Sequence, residues 1–207
     1  MMSLAEIGNI PIDSAVLKSL FPNHKSVHNK ISTLEKTGKL IRLKKGMYVV
    51  SPRESGKLLS LELIANHLYG PSYVSMESAL RFYGLIPESI ASLQSMTTKH
   101  TRDFTNVLGT FVYTQCSKEY FSIGIRQEVR ENNASLIACP EKALCDLIIH
   151  TPNLNLRFQR ELRTYLEEDL RFDMNALHQM NPMRVEQCLT VGKKKTMLTN
   201  LLKIMQS

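Results

Sequence analysis

At about 100° per residue, Lys25, Asn29, Ser32 and Lys36, with Thr33 beside them, fall opposite an apolar stripe of Val27, Ile31 and Leu34. An asparagine amide can make a bidentate bond to an adenine edge, a lysine reaches guanine or phosphate, and the serine and threonine hydroxyls serve either role. That set of side chains suits the major groove of double-stranded DNA. A second group, Arg42, Lys44 and Lys45, surrounds the Gly46 turn between two strand-like runs, Leu40-Ile41-Arg42-Leu43 and Met47-Tyr48-Val49-Val50. Three cations around a tight turn can lie along a phosphate backbone or reach a minor groove. A solvated helix face or a solvated charge run looks the same when taken alone. The order, helix first and basic hairpin after it, favours the DNA reading.

Other chemistries find less support. The chain carries no G-x-S-x-G and no glycine-rich phosphate loop, and Ser75 is better placed as the N-cap of a helix from Met76 to Tyr83, with Glu77 in its first turn. His24 and His28 stand four apart but lack the H-E-x-x-H pattern and a third ligand. Cys116, Cys139, Cys145 and Cys188 form no C-x-x-C pair and lie among apolar residues, so they read as buried thiols rather than a zinc or disulfide framework. Pro140, Glu141 and the residues to Asp146 read as a helix start, with proline at the first helical position. The expectation is a protein without catalytic activity, cofactor or metal. Lys193-Lys194-Lys195 opens the last helix at the end where cations are disfavoured, which solvation or an external anion can accommodate.

Positioning the first two groups requires a particular set of elements. Ile12, Val16, Leu17 and Leu20 predict a short helix after Asp13, the stripe above predicts a second over 24–37 ended by Gly38, and the hairpin follows; Ser3 to Gly8 can supply a helix before them. That order predicts a winged helix-turn-helix over residues 1–57, with the polar stretch Arg53 to Lys57 as its boundary. Residues 58–207 then form a second domain. Helical patterns span Leu58 to Tyr69 and Met76 to Tyr83. Strand-like runs follow at Leu93 to Thr97, Val107 to Thr114, Tyr120 to Ile125 and Ser135 to Ala138, and predict a mostly antiparallel sheet. Helices return from Pro140, at Leu156 to Leu166, Met174 to Met180, Met183 to Leu189 and Lys194 to Met205. The fold class expected is α+β.

Charge supports this division. Residues 1–57 hold ten Lys or Arg against four Asp or Glu, leaving a net +1 for the remainder of a chain whose total is +7. A basic module joined to a neutral body suits a polyanion as partner for the module alone. With 43% apolar and 22% charged residues the composition is that of a folded globular protein. No run of about 18 apolar residues and no signal-peptide pattern is present, so a cytoplasmic protein with no membrane partner is expected.

Three segments in order, K-x-G-K-L-I-R-L-K-K-G-M-Y-V-V (Lys36 to Val50), P-S-Y-V-S-M-E-S-A-L-R-F-Y-G-L (Pro71 to Leu85) and A-C-P-E-K-A-L-C-D-L (Ala138 to Leu147), resemble the AbiEi-type antitoxins of type IV toxin-antitoxin systems. The match spans roughly Ile12 to His150. The resemblance implies an N-terminal winged helix that binds repeats in the promoter of its own operon. It also implies a C-terminal domain that opposes a nucleotidyltransferase-like toxin, without requiring a stable complex with it. The alternative is a winged-helix transcription factor whose larger domain senses a ligand or protein partner.

Overall fold

A computed structural model describes residues 3–87 and 91–206. The first elements are helix α1 (Leu4–Ile7), a two-residue strand β1 (Ile12–Asp13), helices α2 (Ser14–Ser19) and α3 (Val27–Lys36), and the hairpin β2 (Leu40–Lys44) and β3 (Met47–Val50). The three strands form an antiparallel sheet in the order β1-β3-β2. Local signals set the ends. Ser3 and Glu6 close a capping box on α1, and the Asp13 carboxylate accepts from the amides of Ala15 and Val16 to start α2. Ile12, counted in the apolar spacing of that helix, precedes it and pairs with Tyr48 in the sheet.

After a short helix α4 (Pro52–Ser55), the chain runs α5 (Leu61–Leu68), β4 (Ser72–Val74), α6 (Met76–Phe82), β5 (Ser92–Thr97), β6 (Arg102–Asn106), β7 (Gly109–Gln115), α7 (Lys118–Phe121), β8 (Ile125–Arg130) and β9 (Asn133–Ala138). Helices close the chain: α8 (Pro140–His150), α9 (Gln159–Thr164) leading into a π-helical turn (Tyr165–Asp169), α10 (Met174–Gln179), α11 (Pro182–Val191) and α12 (Lys195–Met205). The architecture is α+β with one antiparallel and one mixed sheet.

The larger sheet is mixed: β4-β5, β6-β7 and β8-β9 pair antiparallel, as expected, and the remaining pairs are parallel. Its order is β6-β7-β5-β4-β9-β8, with β5 parallel to β7 and β4 parallel to β9. The expected run Val107 to Thr114 covers β7 and misses β6, an edge strand whose residues are polar except for Phe104. Restoring that strand reverses the chain once more, which makes β5 and β7 parallel. The run Tyr120 to Ile125, expected as a strand, is mostly the end of α7 and a turn: Ser117 accepts from the Tyr120 amide as N-cap, and Gly124 takes a left-handed φ of 62° before β8 begins.

The small hairpin is buried on both faces. Along β3, Tyr48 and Val50 enter a cluster with Ile7, Ile12, Leu17, Ile31, Leu34 and Leu40, whereas Val49, on the opposite face, joins the large core together with Leu43 of β2. This is the period-2 alternation of a strand with apolar partners on both sides. Full burial of side chains of that size is worth about 1.5–3 kcal/mol each. Polar bonds add to the junction: the Asn9 amide donates to the Leu58 carbonyl at 2.6 Å and to Asn133 Oδ1 at 2.7 Å, and Asn106 Nδ2 donates to the Leu43 carbonyl at 3.1 Å.

Candidate nucleic-acid interface

Helix α3 starts at Val27 rather than at residue 24, because Ser26 is extended (φ −140°, ψ 93°) and its hydroxyl accepts from the Asn29 amide at 3.5 Å. Lys25 therefore stands in the preceding loop, exposed. Ile31 and Leu34 are buried and Val27 half-buried, which turns Asn29, Thr33 and Lys36 out to solvent and leaves Ser32 half-buried. Among the described residues the Asn29 side-chain amide and the Lys36 ammonium have no protein partner. The Thr33 hydroxyl is occupied, donating to the Asn29 carbonyl at 2.9 Å.

The hairpin cations, read as one exposed group, have three separate environments. Arg42 donates to Glu35 Oε2 of α3 at 2.6 Å and lies 5.7 Å from the centre of the Tyr48 ring; the bond to Glu35 raises its pKa further. Lys44, expected at a free tip, is the last residue of β2, and its ammonium donates to the Leu68 carbonyl at the end of α5. Burial lowers its pKa, and the charges of Lys99 and Arg102 lower it further. Its place follows from the register irregularity between Arg42 and Lys44, which turns the side chain toward the larger sheet. Only Lys45 stands exposed at the turn, where the Gly46 carbonyl accepts from the Ser14 amide at 2.8 Å.

A cationic group not foreseen from the pattern lies beside the hairpin. Lys99 sits 5.2 Å from the centre of the Tyr69 ring, Arg102 5.0 Å and Lys44 5.6 Å from that of Phe104, and the two rings are 5.5 Å apart. Among the described residues none of the three cations is ion-paired. Along β6, Arg102, Phe104 and Asn106 share the face toward the hairpin, and Asp103 takes the other. Unpaired like charges at this spacing repel, and an external polyanion relieves that cost. The signal available in the sequence was the run Lys99-His100-Thr101-Arg102 ahead of an aromatic residue.

A second cluster is closed to solvent. Asp146 on α8 accepts from Lys142 Nζ at 2.8 Å, from the Ser75 hydroxyl at 2.6 Å and from the Tyr73 hydroxyl at 3.0 Å, and both charged side chains are 0% exposed. The ammonium also lies 3.0 Å from the centre of the Tyr120 ring. Ser75 does precede α6 as expected, but its hydroxyl makes no cap bond, being held by Asp146. Gly124 backs this cluster: a Cβ there would stand 2.9 Å from Lys142 Cβ and from Cys139 Sγ. Gly124→Ala is expected to cost about 1–3 kcal/mol through left-handed strain and this contact, read as a lower urea midpoint. All four cysteines are buried, and burial pushes the Cys116 thiol up to about 11 and that of Cys139 up to about 12. Of the lysine run, Lys193 and Lys195 are exposed, whereas Lys194 is half-buried and has protein partners. Its ammonium donates to the carbonyls of Ile148 at 3.0 Å and Thr151 at 2.9 Å, at the C-terminal end of α8 where a cation is favoured.

The fold is thus an α+β arrangement in which a small antiparallel sheet with three helices abuts a larger mixed sheet wrapped by helices, and among the described residues no helix is long and apolar enough to cross a membrane. No family model matches the sequence, and no curated protein matches it. Among solved structures, the chain is similar to the crystal structure of the RV2827C protein from Mycobacterium tuberculosis, with a TM-score of 0.63 and 12% identity over 98% of this chain and 74% of that one. Likeness at that identity is likeness of fold.

Proposed function

We propose that residues 1–57 form a winged helix-turn-helix that reads double-stranded DNA through α3, and that residues 58–207 form a second domain. In this reading the protein represses its own promoter at repeated operator sites and is the antitoxin to a nucleotidyltransferase-like toxin, with no catalysis of its own. The observation that carries the DNA reading is the outward face of α3, where the Asn29 and Lys36 side chains have no protein partner among the described residues. The adjoining hairpin and the unpaired group Lys44, Lys99 and Arg102 extend the positive surface beside it. The antitoxin role rests on the three segments that resemble that family. Two of them, Pro71 to Leu85 and Ala138 to Leu147, meet at the Asp146 cluster.

Titration of the protein against its own promoter and a scrambled duplex, at several salt concentrations, tests the DNA role. Preference for the promoter is expected, with log affinity falling linearly with log salt. Equal and salt-independent binding, or none, refutes it. Co-expression with the adjacent toxin gene is expected to restore growth. The division of roles is best probed with point variants in the whole chain, because removing residues 1–57 takes Leu43 and Val49 out of the large core.

A further inference from the structure

A cavity of about 350 Å³ opens between α7, the end of α8 and the turn joining α11 to α12. Its size is in the range that small-molecule sites occupy. Gln115, Ser117, His150 and Lys193 bring polar groups to it, and Tyr120, Ile149 and Val191 supply apolar surface. Among the described residues the Gln115 side-chain amide, the His150 imidazole and the Lys193 ammonium have no hydrogen-bond partner, and the Ser117 oxygen accepts from the Tyr120 amide while its own proton stays free to donate. None of the described lining residues is acidic.

The one charged side chain among the described lining residues is a cation. Lys193 lines it, and Lys194 stands one residue further on. Asp146, behind Tyr120, is already held by Lys142, Ser75 and Tyr73. Burial lowers the His150 pKa, with Asp146 opposing and the nearby lysines adding to the shift, so at neutral pH the imidazole is uncharged and can donate from one nitrogen and accept at the other. Gly192 gives the site one wall of bare peptide. A Cβ there would lie 2.4 Å from the Cys188 carbonyl oxygen, 3.1 Å from Ile149 Cδ1 and 3.3 Å from Tyr120 Cε2, so a side chain does not fit. The rings of Tyr120 and His150, with centres 6.3 Å apart, complete the lining.

We propose that this cavity is a binding site for a small organic anion with a compact apolar body, of the aromatic carboxylate class. The carboxylate pairs with Lys193 and accepts from Ser117 and His150, and the ring covers the Tyr120, Ile149 and Gly192 wall. The site gives the larger domain a ligand-sensing capacity that is independent of any DNA contact.

Salicylate is the probe, with benzyl alcohol as a neutral ring and inorganic phosphate as an anion without an apolar body. Each is titrated into the whole protein by calorimetry, and the His150 and tyrosine ring signals are followed by NMR. Saturable salicylate binding is expected, shifting the His150 signals, with benzyl alcohol and phosphate each at least about tenfold weaker, the loss of one charge-assisted contact or of the apolar contact. Lys193→Ala and His150→Gln are each expected to weaken salicylate by about tenfold or more. Lys195→Ala, an exposed position outside the lining, is expected to leave it unchanged. Thermal midpoints establish that each variant is folded, and Lys193 is exposed, so its removal leaves the core intact. Absence of saturation, equal binding of benzyl alcohol or phosphate, or indifference of the folded Lys193→Ala protein to the change overturns the proposal. No arm uses DNA, so the result stands apart from the nucleic-acid reading.

Discussion

Lys142→Met is expected to remove about 3–5 kcal/mol of folding stability, because it leaves the Asp146 carboxylate charged in a site with no solvent access. The loss is larger than a surface ion pair can give, since those are worth about 0–1 kcal/mol. The mirror change, Asp146→Asn, strands the Lys142 ammonium and weakens the bonds from Tyr73 and Ser75, so a loss of similar size is expected. The decisive protein is the double variant. Lys142→Met with Asp146→Asn removes both charges and keeps an acceptor for the two hydroxyls, so it is expected to be more stable than either single change. A coupling energy of about 1–3 kcal/mol is expected. Urea denaturation at constant slope measures all four proteins. A loss below about 1 kcal/mol in both single variants, or strict additivity in the double, would mean that water reaches the pair and that it does not behave as a buried ion pair.

That pair also shows where sequence reasoning stops. The start of α8 was legible from Pro140, and the i, i+4 spacing of Lys142 and Asp146 is visible to anyone. Spacing cannot tell a solvated pair from a buried one. Helix α8 is covered on every side, by α6, α11, α12 and the sheet, so its buried residues run without a polar face and include Glu141, Lys142 and Asp146. The amphipathic stripe of α3 was legible because one side meets the small core and the other meets water, which is what a helical period reports. Thr33, by contrast, is spent on the Asn29 carbonyl, a local competition that a helical wheel does not register. Sheet order failed for a different reason: β6 is polar because it is an edge, and an edge strand offers little hydrophobic alternation to detect. The Lys44 environment depends on β6, so the hairpin tip is less free than its sequence suggests.

In the proposed DNA reading the two cationic surfaces and the α3 face would make different contacts, and variants should separate them. Asn29→Ala is expected to cost about 1–3 kcal/mol at the cognate site, by loss of a bidentate base contact, and to leave binding to a scrambled duplex nearly unchanged. Asn29 is exposed and its side chain has no described partner, so the fold does not depend on it. Lys99→Ala with Arg102→Ala removes two exposed, unpaired cations from the sheet edge and leaves α3 untouched. If both neutralise phosphates, this protein should bind every duplex more weakly, and the slope of log affinity against log salt should fall by about 1.8. Lys44 is a poor choice for this test, because its bond to the Leu68 carbonyl makes it part of the junction, so Lys45→Ala is the hairpin variant to use, with an expected slope change of about 0.9. Loss of specificity in the first variant with uniform loss in the others assigns base reading to α3 and backbone contact to the hairpin and β6. A wild-type protein that binds DNA while Lys99→Ala/Arg102→Ala keeps the full salt slope would confine the interface to residues 1–57. An unchanged Asn29→Ala protein would remove the proposed base contact of α3, and contacts to phosphate alone carry no sequence information.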